Sequence, residues 1–249
     1  MTTGSRMDVY SSVHTFQEEQ IRNKVIVVVD VLRATSTIVT ALANGAKGVI
    51  PVEDMGEASR IAQSVDSSNI LLCGEKDGVK IEGYDLGNSP LEYTRDRVKG
   101  RSLILNTTNG TKAIKKANQS RELFIASFLN LDAVVQRLRE VEGEIVIVCS
   151  GWKGRLSLED LLLAGNIIHD WSGGTLAMDA SDGARIAFTL YERYKHEIEE
   201  VILHSNHAAR LRELIGEEDI RYCCQSNTTG VLPILNEGII TDCYAIQEI

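Results

Sequence analysis

The chain has 249 residues, of which 43% are hydrophobic; this composition suits a sizeable core and argues against disorder. A formal net charge of −9 argues against a nucleic-acid-binding protein, which needs a basic surface. No apolar run approaches the roughly 20 residues of a membrane helix, and the first residues lack the apolar core of a secretory signal. The five cysteines form no C-x-x-C pair, as expected for reduced thiols. We therefore expect a cytoplasmic protein that binds neither nucleic acid nor membranes.

Strands and helices alternate in the first part of the chain. Residues 24–30, "KVIVVVD", form a continuously apolar, β-branched run, which predicts a strand that is covered on both faces and ends at Asp30. Apolar residues then recur at helical spacing until Gly45, which we expect to cap that helix at its C-terminus. "KGVIPV" predicts the next strand, and the apolar stripe of residues 58–65 predicts the next helix.

The same alternation continues through the middle of the chain. Residues 129–141 predict a helix with one apolar face, and residues 157–171 predict a helix that begins with Ser157 and Asp160 in capping-box spacing. The further predicted strands of this part are "NILLCGE", "RSLILN", "ELFIAS" and "GEIVIVCSG". Such alternation is typical of an α/β fold with a largely parallel sheet.

The last part of the chain has a different pattern. Residues 182–216 are predicted to be mainly helical, whereas "IRYCCQ" and "GIITDCYAI" are predicted to be late strands. The chain contains only three prolines and no linker-like segment. We therefore expect a single domain over residues 1–249.

Four polar loops follow predicted strands. In a parallel sheet the carboxyl ends of the strands meet at one edge, where ligands bind, so we expect these loops to form one site. Their Ser, Thr, Asn and Gly residues can present hydroxyls, amides and backbone N–H groups to an anion. The loops are "DVLRATST", "GEKDGVKIEGYDLGNSP", "NTTNGTK" and "SGWKGRLSLED". Their charged residues include Asp30, Glu75, Asp77, Asp85, Glu159 and Asp160, and Arg33, Lys76, Lys112, Lys153 and Arg155.

This mixture of groups suits metal-assisted phosphoryl transfer. Phosphate oxygens need cations and N–H donors, and Mg2+ prefers oxygen ligands, commonly one or two carboxylates with waters. Asp30, at the end of a buried strand, could bind the metal or attack phosphorus; alternatively, it could only cap the following helix. Ser157 with Asp160 could likewise be only a helix cap, and "NTTNG" only a turn. None of the five histidines lies in the four loops, which disfavours a histidine nucleophile or a histidine-based metal site.

Taken together and in order, the four loops resemble the signature segments of the 2-phosphosulfolactate phosphatase family. The resemblance runs from about residue 7 to "GIITDC" and covers nearly the whole chain. It implies a three-layer α/β/α fold with a largely parallel or mixed sheet, and a homodimer. It also implies a Mg2+-dependent phosphatase that hydrolyses 2-phospho-3-sulfolactate to 3-sulfolactate and orthophosphate, a step of coenzyme M biosynthesis.

The resemblance also implies roles for residues in each loop. We interpret Asp30, Arg33 and Glu159 as catalytic. The predicted metal ligands are Asp30, Glu75, Asp85 and Asp160. The predicted substrate-binding residues are Thr35, Ser36, Asn88, Ser89, Thr107, Thr108, Asn109, Gly110, Thr111, Ser150, Gly151 and Lys153. The segment "NTTNGT" is expected to hold the phosphate or sulfonate with backbone N–H groups, threonine hydroxyls and the following helix N-terminus.

One departure from the family pattern bears on the substrate. Lys76 stands where we expect family members to carry an arginine after "GE", and lysine cannot make the planar, bidentate grip of arginine. Substrate preference could therefore extend to other 2-phosphorylated hydroxy acids. Two further alternatives are a phosphatase of the haloacid dehalogenase type and a non-catalytic module that binds a small dianion. The first expects a second aspartate where this chain has Leu32, and in the second the carboxylates would repel the ligand.

Overall fold

The computed structural model describes residues 6–64 and 69–245. Within them, ten strands form one mixed sheet, which confirms the predicted α/β fold. The strands are β1 (Arg6–Tyr10), β2 (Val25–Val29), β3 (Gly48–Val52), β4 (Ile70–Lys76), β5 (Val79–Lys80), β6 (Ser102–Asn106), β7 (Glu122–Ala126), β8 (Glu144–Cys149), β9 (Pro233–Asn236) and β10 (Ile239–Asp242).

Helices connect most of these strands, and five helices in succession separate β8 from β9. The α-helices are α1 (Ala34–Ala43), α2 (Met55–Ser64), α3 (Arg95–Val98), α4 (Gly110–Lys116), α5 (Leu131–Glu140), α6 (Leu158–Ser172), α7 (Asp182–Tyr194), α8 (Ile198–Leu203), α9 (Asn206–Ile215) and α10 (Glu218–Cys223). Among the described residues, none of these helices has both the length and the hydropathy to span a membrane. Gly45 follows α1 with a φ of 89°, which confirms the predicted glycine cap. The hydroxyl of Ser157 accepts a hydrogen bond from Asp160 N–H, which confirms Ser157 as the N-cap of α6, whereas the Asp160 carboxylate bonds to Val31 and Gly151.

The sheet consists of two parallel blocks joined by a hairpin. Its strand order is β1-β8-β2-β7-β9-β10-β3-β6-β4-β5. Strands β1, β8, β2 and β7 are mutually parallel, and so are β3, β6 and β4. The hairpin β9–β10 pairs antiparallel with β7 on one side and with β3 on the other. The last strands of the chain therefore complete a sheet whose two halves come from earlier segments.

Helices cover both faces of the first block, which confirms the three-layer arrangement. Every residue of β2 is buried, as the continuous apolar run predicts. Val25, Val27 and Val29 belong to a core shared with α5, α6 and α7. Ile26 and Val28 face the opposite core, which contains α1 and α4.

Helix α4 connects the two parallel blocks. It contacts β2 of the first block and β3 of the second, and its buried side chains Ala113 and Ile114 share one core with strands of both. Its first residue, Gly110, lies against the end of β2, where an added Cβ would be 2.7 Å from Asp30 Oδ2. The loop before α4 is thereby held beside the loop after β2.

The prediction of a strand at "IRYCCQ" is wrong, because residues Glu218–Cys223 form α10. Ile220 and Cys223 are three residues apart and both buried, which is the spacing of one helical face. Glu218 and Asp219 in the first turn favour a helix start. The mainly helical prediction for residues 182–216 is confirmed by α7, α8 and α9, and "GIITDCYAI" contains β10, although its residue 246 lies outside the described residues.

Helices α6 and α7 pack so closely at Gly165 that a side chain does not fit. A Cβ at this position would overlap the carbonyl oxygen of Ala187 and lie 2.7 Å from Tyr191 Cβ. We predict that Gly165→Ala lowers the free energy of unfolding by about 1–3 kcal/mol, although alanine is the better helix former. Gly56→Ala in α2, where only the ends of flexible side chains are near, is the control and should be neutral or slightly stabilising. Equal stabilities of the two variants in urea denaturation would contradict the close approach of α6 and α7.

Candidate active site

All four polar loops meet at one cavity of about 350 Å³. Asp30 and Arg33 from the first loop line it together with Glu75 from the second. Asn109 from the third loop and Lys153 from the fourth complete the contribution of the predicted segments. This cavity is called the site cavity below.

Asp30 lines the site cavity at the end of β2 and is held by hydrogen bonds to the start of α1. The hydroxyl of Thr35 donates to Asp30 O at 2.8 Å and accepts from Asp30 N–H at 3.1 Å, which fixes the backbone. Asp30 Oδ1 accepts a hydrogen bond from Ala34 N–H at 3.3 Å, whereas Oδ2 has no hydrogen-bond partner among the described residues. Burial raises the pKa of Asp30 to about 6, although the charge of His207 and the Ala34 N–H act against this increase.

Glu75 joins the second loop to the third. Its Oε1 accepts a hydrogen bond from Thr108 N–H at 2.6 Å. Its Oε2 accepts from Gly78 N–H at 2.6 Å and from the Thr108 hydroxyl at 3.0 Å. A carboxylate offers about four acceptor positions, so one remains for a ligand in the site cavity.

Asp160 joins the first loop to the fourth from behind the cavity wall. Its Oδ1 accepts from Val31 N–H at 2.9 Å and its Oδ2 from Gly151 N–H at 3.2 Å. Burial, with the nearby charges of Asp30 and Glu159, raises the pKa of Asp160 well above its usual range. The predicted metal ligand Asp160 therefore positions two loops and is not on the cavity wall.

Glu159 is completely buried and pairs with a histidine that the sequence did not indicate. Its Oε1 lies 2.7 Å from Nδ1 of His207, which lines the site cavity from α9. Burial raises the pKa of Glu159, but the hydrogen bond and charge of His207 outweigh this effect and hold the pKa below its usual value. The ring of His207 stacks on Trp152 with 5.1 Å between ring centroids. No local signal could have found His207, because it lies 48 residues after its partner.

Arg33 also pairs with a residue outside the four loops. Its guanidinium donates to Asp219 Oδ2 at 2.6 Å and to Gly78 O at 3.0 Å, and both members of the ion pair are buried. The other carboxylate oxygen of Asp219 accepts from the hydroxyl of Ser89 at 2.7 Å. Asp219, on α10, thus holds Arg33 at the cavity and connects it to the "GNSP" segment.

Several predicted ligands lie behind or outside the cavity wall. Of the predicted substrate-binding residues, the wall contains Asn88, Thr108, Asn109 and Lys153. The remaining ones, which lie off the wall, are Thr35, Ser36, Ser89, Thr107, Gly110, Thr111, Ser150 and Gly151. Asp85, a predicted metal ligand, is exposed and away from the cavity, because its Oδ2 accepts from Leu72 N–H at 2.8 Å.

The segment "NTTNGT" uses most of its polar groups to hold its own turn. Thr107 N–H donates to the hydroxyl of Thr111 at 3.1 Å, and Thr111 N–H donates to the hydroxyl of Thr107 at 3.0 Å. The N–H of Thr108 is taken by Glu75. Asn109 is therefore the residue of this segment that we expect to contact a ligand with its side chain.

The acidic groups of the site suit a Mg2+ ion that is bound together with a phosphate. Among the described residues, no three His, Cys, Asp or Glu side chains form a preassembled metal site. Mg2+ in phosphate sites needs only one or two carboxylates, with waters and phosphate oxygens as its other ligands. Asp30, with its unpartnered Oδ2, and Glu75 both line the site cavity and fit this requirement.

Comparison with known proteins gives one consistent family. The model of the family described as 2-phosphosulpholactate phosphatase matches residues 10–238. A protein of Thermotoga petrophila is 46% identical over 213 residues, which cover 86% of this chain and 89% of that protein. Proteins of Caldanaerobacter subterraneus subsp. tengcongensis and Clostridium acetobutylicum are each 38% identical over 94% of this chain, and the alignments cover 97% and 99% of those proteins. All three are named probable 2-phosphosulfolactate phosphatase.

The raised pKa of Asp30 predicts a pH dependence of stability. Between its ordinary value of 3.8 and about 6, the folded protein binds more protons at Asp30 than the unfolded chain does. The contribution of Asp30 therefore decreases stability by about 3 kcal/mol as the pH rises through this range. We compare the free energy of unfolding of Asp30→Asn with that of the wild type in EDTA. From pH 4 to pH 8, we expect this difference to change by about 2–3 kcal/mol in favour of the variant. Urea denaturation at each pH measures this difference.

The control for this experiment is Asp179→Asn, since Asp179 is exposed. Its stability should follow the wild type at every pH. If Asp30→Asn also followed the wild type, Asp30 would have an ordinary pKa and the buried environment described above would be wrong.

The third loop predicts different effects for two neighbouring positions. Asn109→Ala should weaken the binding of inorganic phosphate about tenfold, as expected for a lost hydrogen bond to an anion, without changing the melting temperature. Thr111→Val should instead lower the free energy of unfolding by about 1–3 kcal/mol, because it removes the hydroxyl that bonds to the buried N–H and carbonyl of Thr107. Titration calorimetry and thermal unfolding measure the two effects. If Thr111→Val were as stable as the wild type but bound phosphate more weakly, Thr111 would be a ligand-binding residue.

Proposed function

The chain belongs to the 2-phosphosulfolactate phosphatase family, and we propose that it hydrolyses 2-phospho-3-sulfolactate to 3-sulfolactate and orthophosphate in a Mg2+-dependent reaction of coenzyme M biosynthesis. Membership makes it a phosphoric monoester hydrolase. The observation that best supports the substrate class is the meeting of four polar loops at a cavity with both acidic and cationic walls.

Asp30 and Arg33 are the centre of the proposed reaction. Asp30 offers its unpartnered Oδ2 in the cavity, and Asp30 with Glu75 would hold Mg2+. The ion, when bound, would neutralise charge on the phosphoryl oxygens. Arg33, fixed by Asp219, would stabilise the charge that develops on the transferring phosphoryl group.

We propose that water, and not Asp30, attacks phosphorus. Asp30 is best suited to the metal because it lies beside other acidic groups, whose charges raise its pKa after the larger effect of burial. Brief reaction with labelled substrate followed by acid quenching tests this choice. A trapped aspartyl phosphate at Asp30 would show that its carboxylate is the nucleophile instead.

The second anionic end of the substrate would meet cations on the cavity wall. Lys153 lines the wall and lies over the ring of Trp152, with 4.6 Å from Nζ to the ring centroid. Arg210 of α9 lines the same wall. Lys76, the departure from the family pattern, is exposed and does not line the cavity, so we expect it to have little influence on the substrate.

We also propose a cytoplasmic homodimer. The five cysteines are all free thiols, which suits a reducing compartment. The dimer rests on the family resemblance and is testable by light scattering.

Phosphate release from racemic 2-phospho-3-sulfolactate and from other phosphorylated 2-hydroxy acids tests the proposed function. We expect turnover of the sulfolactate ester with Mg2+ and none with EDTA. Asp30→Asn should reduce kcat by at least about 10³-fold, because it removes a charge that acts at the reacting phosphoryl group. Lys76→Ala is the matched control, a cation of the same loop system outside the cavity, and should retain activity. Tight binding of these esters without any phosphate release would identify a binding module instead.

A further inference from the structure

Helix α9 contributes a histidine to the site that the four loops do not explain. His207 lines the site cavity with Asp30, and Arg210, three residues later on the same helix face, lines it as well. The side chain of His207 is largely buried, with 14% of its surface exposed. The exposed histidines of the neighbouring segment, His196 and His204, are outside this cavity.

The two ring nitrogens of His207 have different surroundings. Nδ1 lies 2.7 Å from Oε1 of Glu159, a side chain with no solvent exposure. The indole of Trp152 covers one face of the ring at an interplanar angle of 19°. Nε2 has no hydrogen-bond partner among the described residues. Glu159 and Trp152 thus fix the orientation of the ring. Nε2 is then the ring nitrogen that can form a hydrogen bond with a ligand in the cavity.

When the ring of His207 is doubly protonated, it carries an N–H on each nitrogen. In that form Nδ1–H bonds to Glu159, and Nε2–H remains available as a proton donor.

Such a donor accelerates the hydrolysis of an alkyl phosphate. When the P–O bond to the hydroxy acid breaks, the electron pair stays on the ester oxygen, and an alkoxide without a proton is a poor leaving group. We propose that His207 is the general acid of this reaction and donates its Nε2 proton to the leaving ester oxygen. This proposal rests on the proposed phosphatase function.

The proton transfers balance over one turnover. The oxygen of the attacking water forms the new bond to phosphorus, and the leaving oxygen takes the Nε2 proton to give the free hydroxy acid. The proton that the water loses replaces the one that His207 gave, through solvent. Orthophosphate and the hydroxy acid are the only products. Glu159 keeps its charge throughout and acts as a positioning residue.

The dependence of rate on the leaving group tests this role. His207→Asn keeps a polar atom for Glu159 but has no acidic proton at the position of Nε2. With 2-phospholactate, whose leaving group is an alkoxide, the variant should lose about 10²–10³-fold in kcat. With 4-nitrophenyl phosphate, whose phenolate leaves without a proton, the loss should be about tenfold at most. Equal losses with both esters would overturn the proposal and leave His207 a structural partner of Glu159.

Two further measurements separate chemistry from folding. Imidazole added to His207→Ala should restore at least tenfold in kcat with 2-phospholactate, whereas no rescue in a variant that unfolds like the wild type would also overturn the proposal. His196→Asn is the matched control, because His196 is exposed and has no hydrogen bond or ion pair within the described chain, and it should match the wild type with both esters. If the wild type releases no phosphate from any ester, the phosphatase function fails, and the proposed role of His207 fails with it.

Discussion

The site depends on hydrogen bonds from loop N–H groups to buried carboxylates. Asp160 accepts from Val31 and Gly151 and so joins the loops after β2 and β8. Glu75 accepts from Gly78 and Thr108 and so joins the loops after β4 and β6. A buried backbone N–H without a partner is costly, and a carboxylate can satisfy several at once. Carboxylates such as Asp160 and Glu75, which suggest catalysis in the sequence, therefore stabilise the conformations of these loops.

This use of carboxylates concentrates negative charge at one edge of the sheet. Asp30, Glu159 and Asp160 are all buried, and the pKa values of Asp30 and Asp160 are raised, first by burial and then by acidic neighbours. Arg33 forms a buried ion pair with Asp219 at the same edge of the sheet. Such a cluster is stabilised by protons or by a cation, which is why the same arrangement suits a divalent ion and a phosphate bound together.

The sequence predicts the strands and the four loops better than it predicts the roles within the loops. Apolar runs such as residues 25–29 are continuous because both faces are buried, and polar loops end them, so their positions can be read directly. The sequence predicts a strand at α10 incorrectly, because a short apolar run does not distinguish a strand from a helix. Thr111 and Asn109 look alike as candidate ligands, yet Thr111 is buried within the turn and Asn109 lines the cavity; only the folded chain makes this distinction.

The C-terminal third of the chain completes a site that the motifs form only in part. Glu159 pairs with His207 of α9, and Arg33 pairs with Asp219 of α10, so two motif residues have partners outside every motif. These helices follow β8 in sequence, and β9 and β10 come after them to join the two parallel blocks. Catalytic geometry and sheet closure thus depend on the same late segment. Substitutions in α9 and α10 can therefore change activity without altering any residue of the four loops, and a chain that carries all four loops still needs these two helices for a complete site.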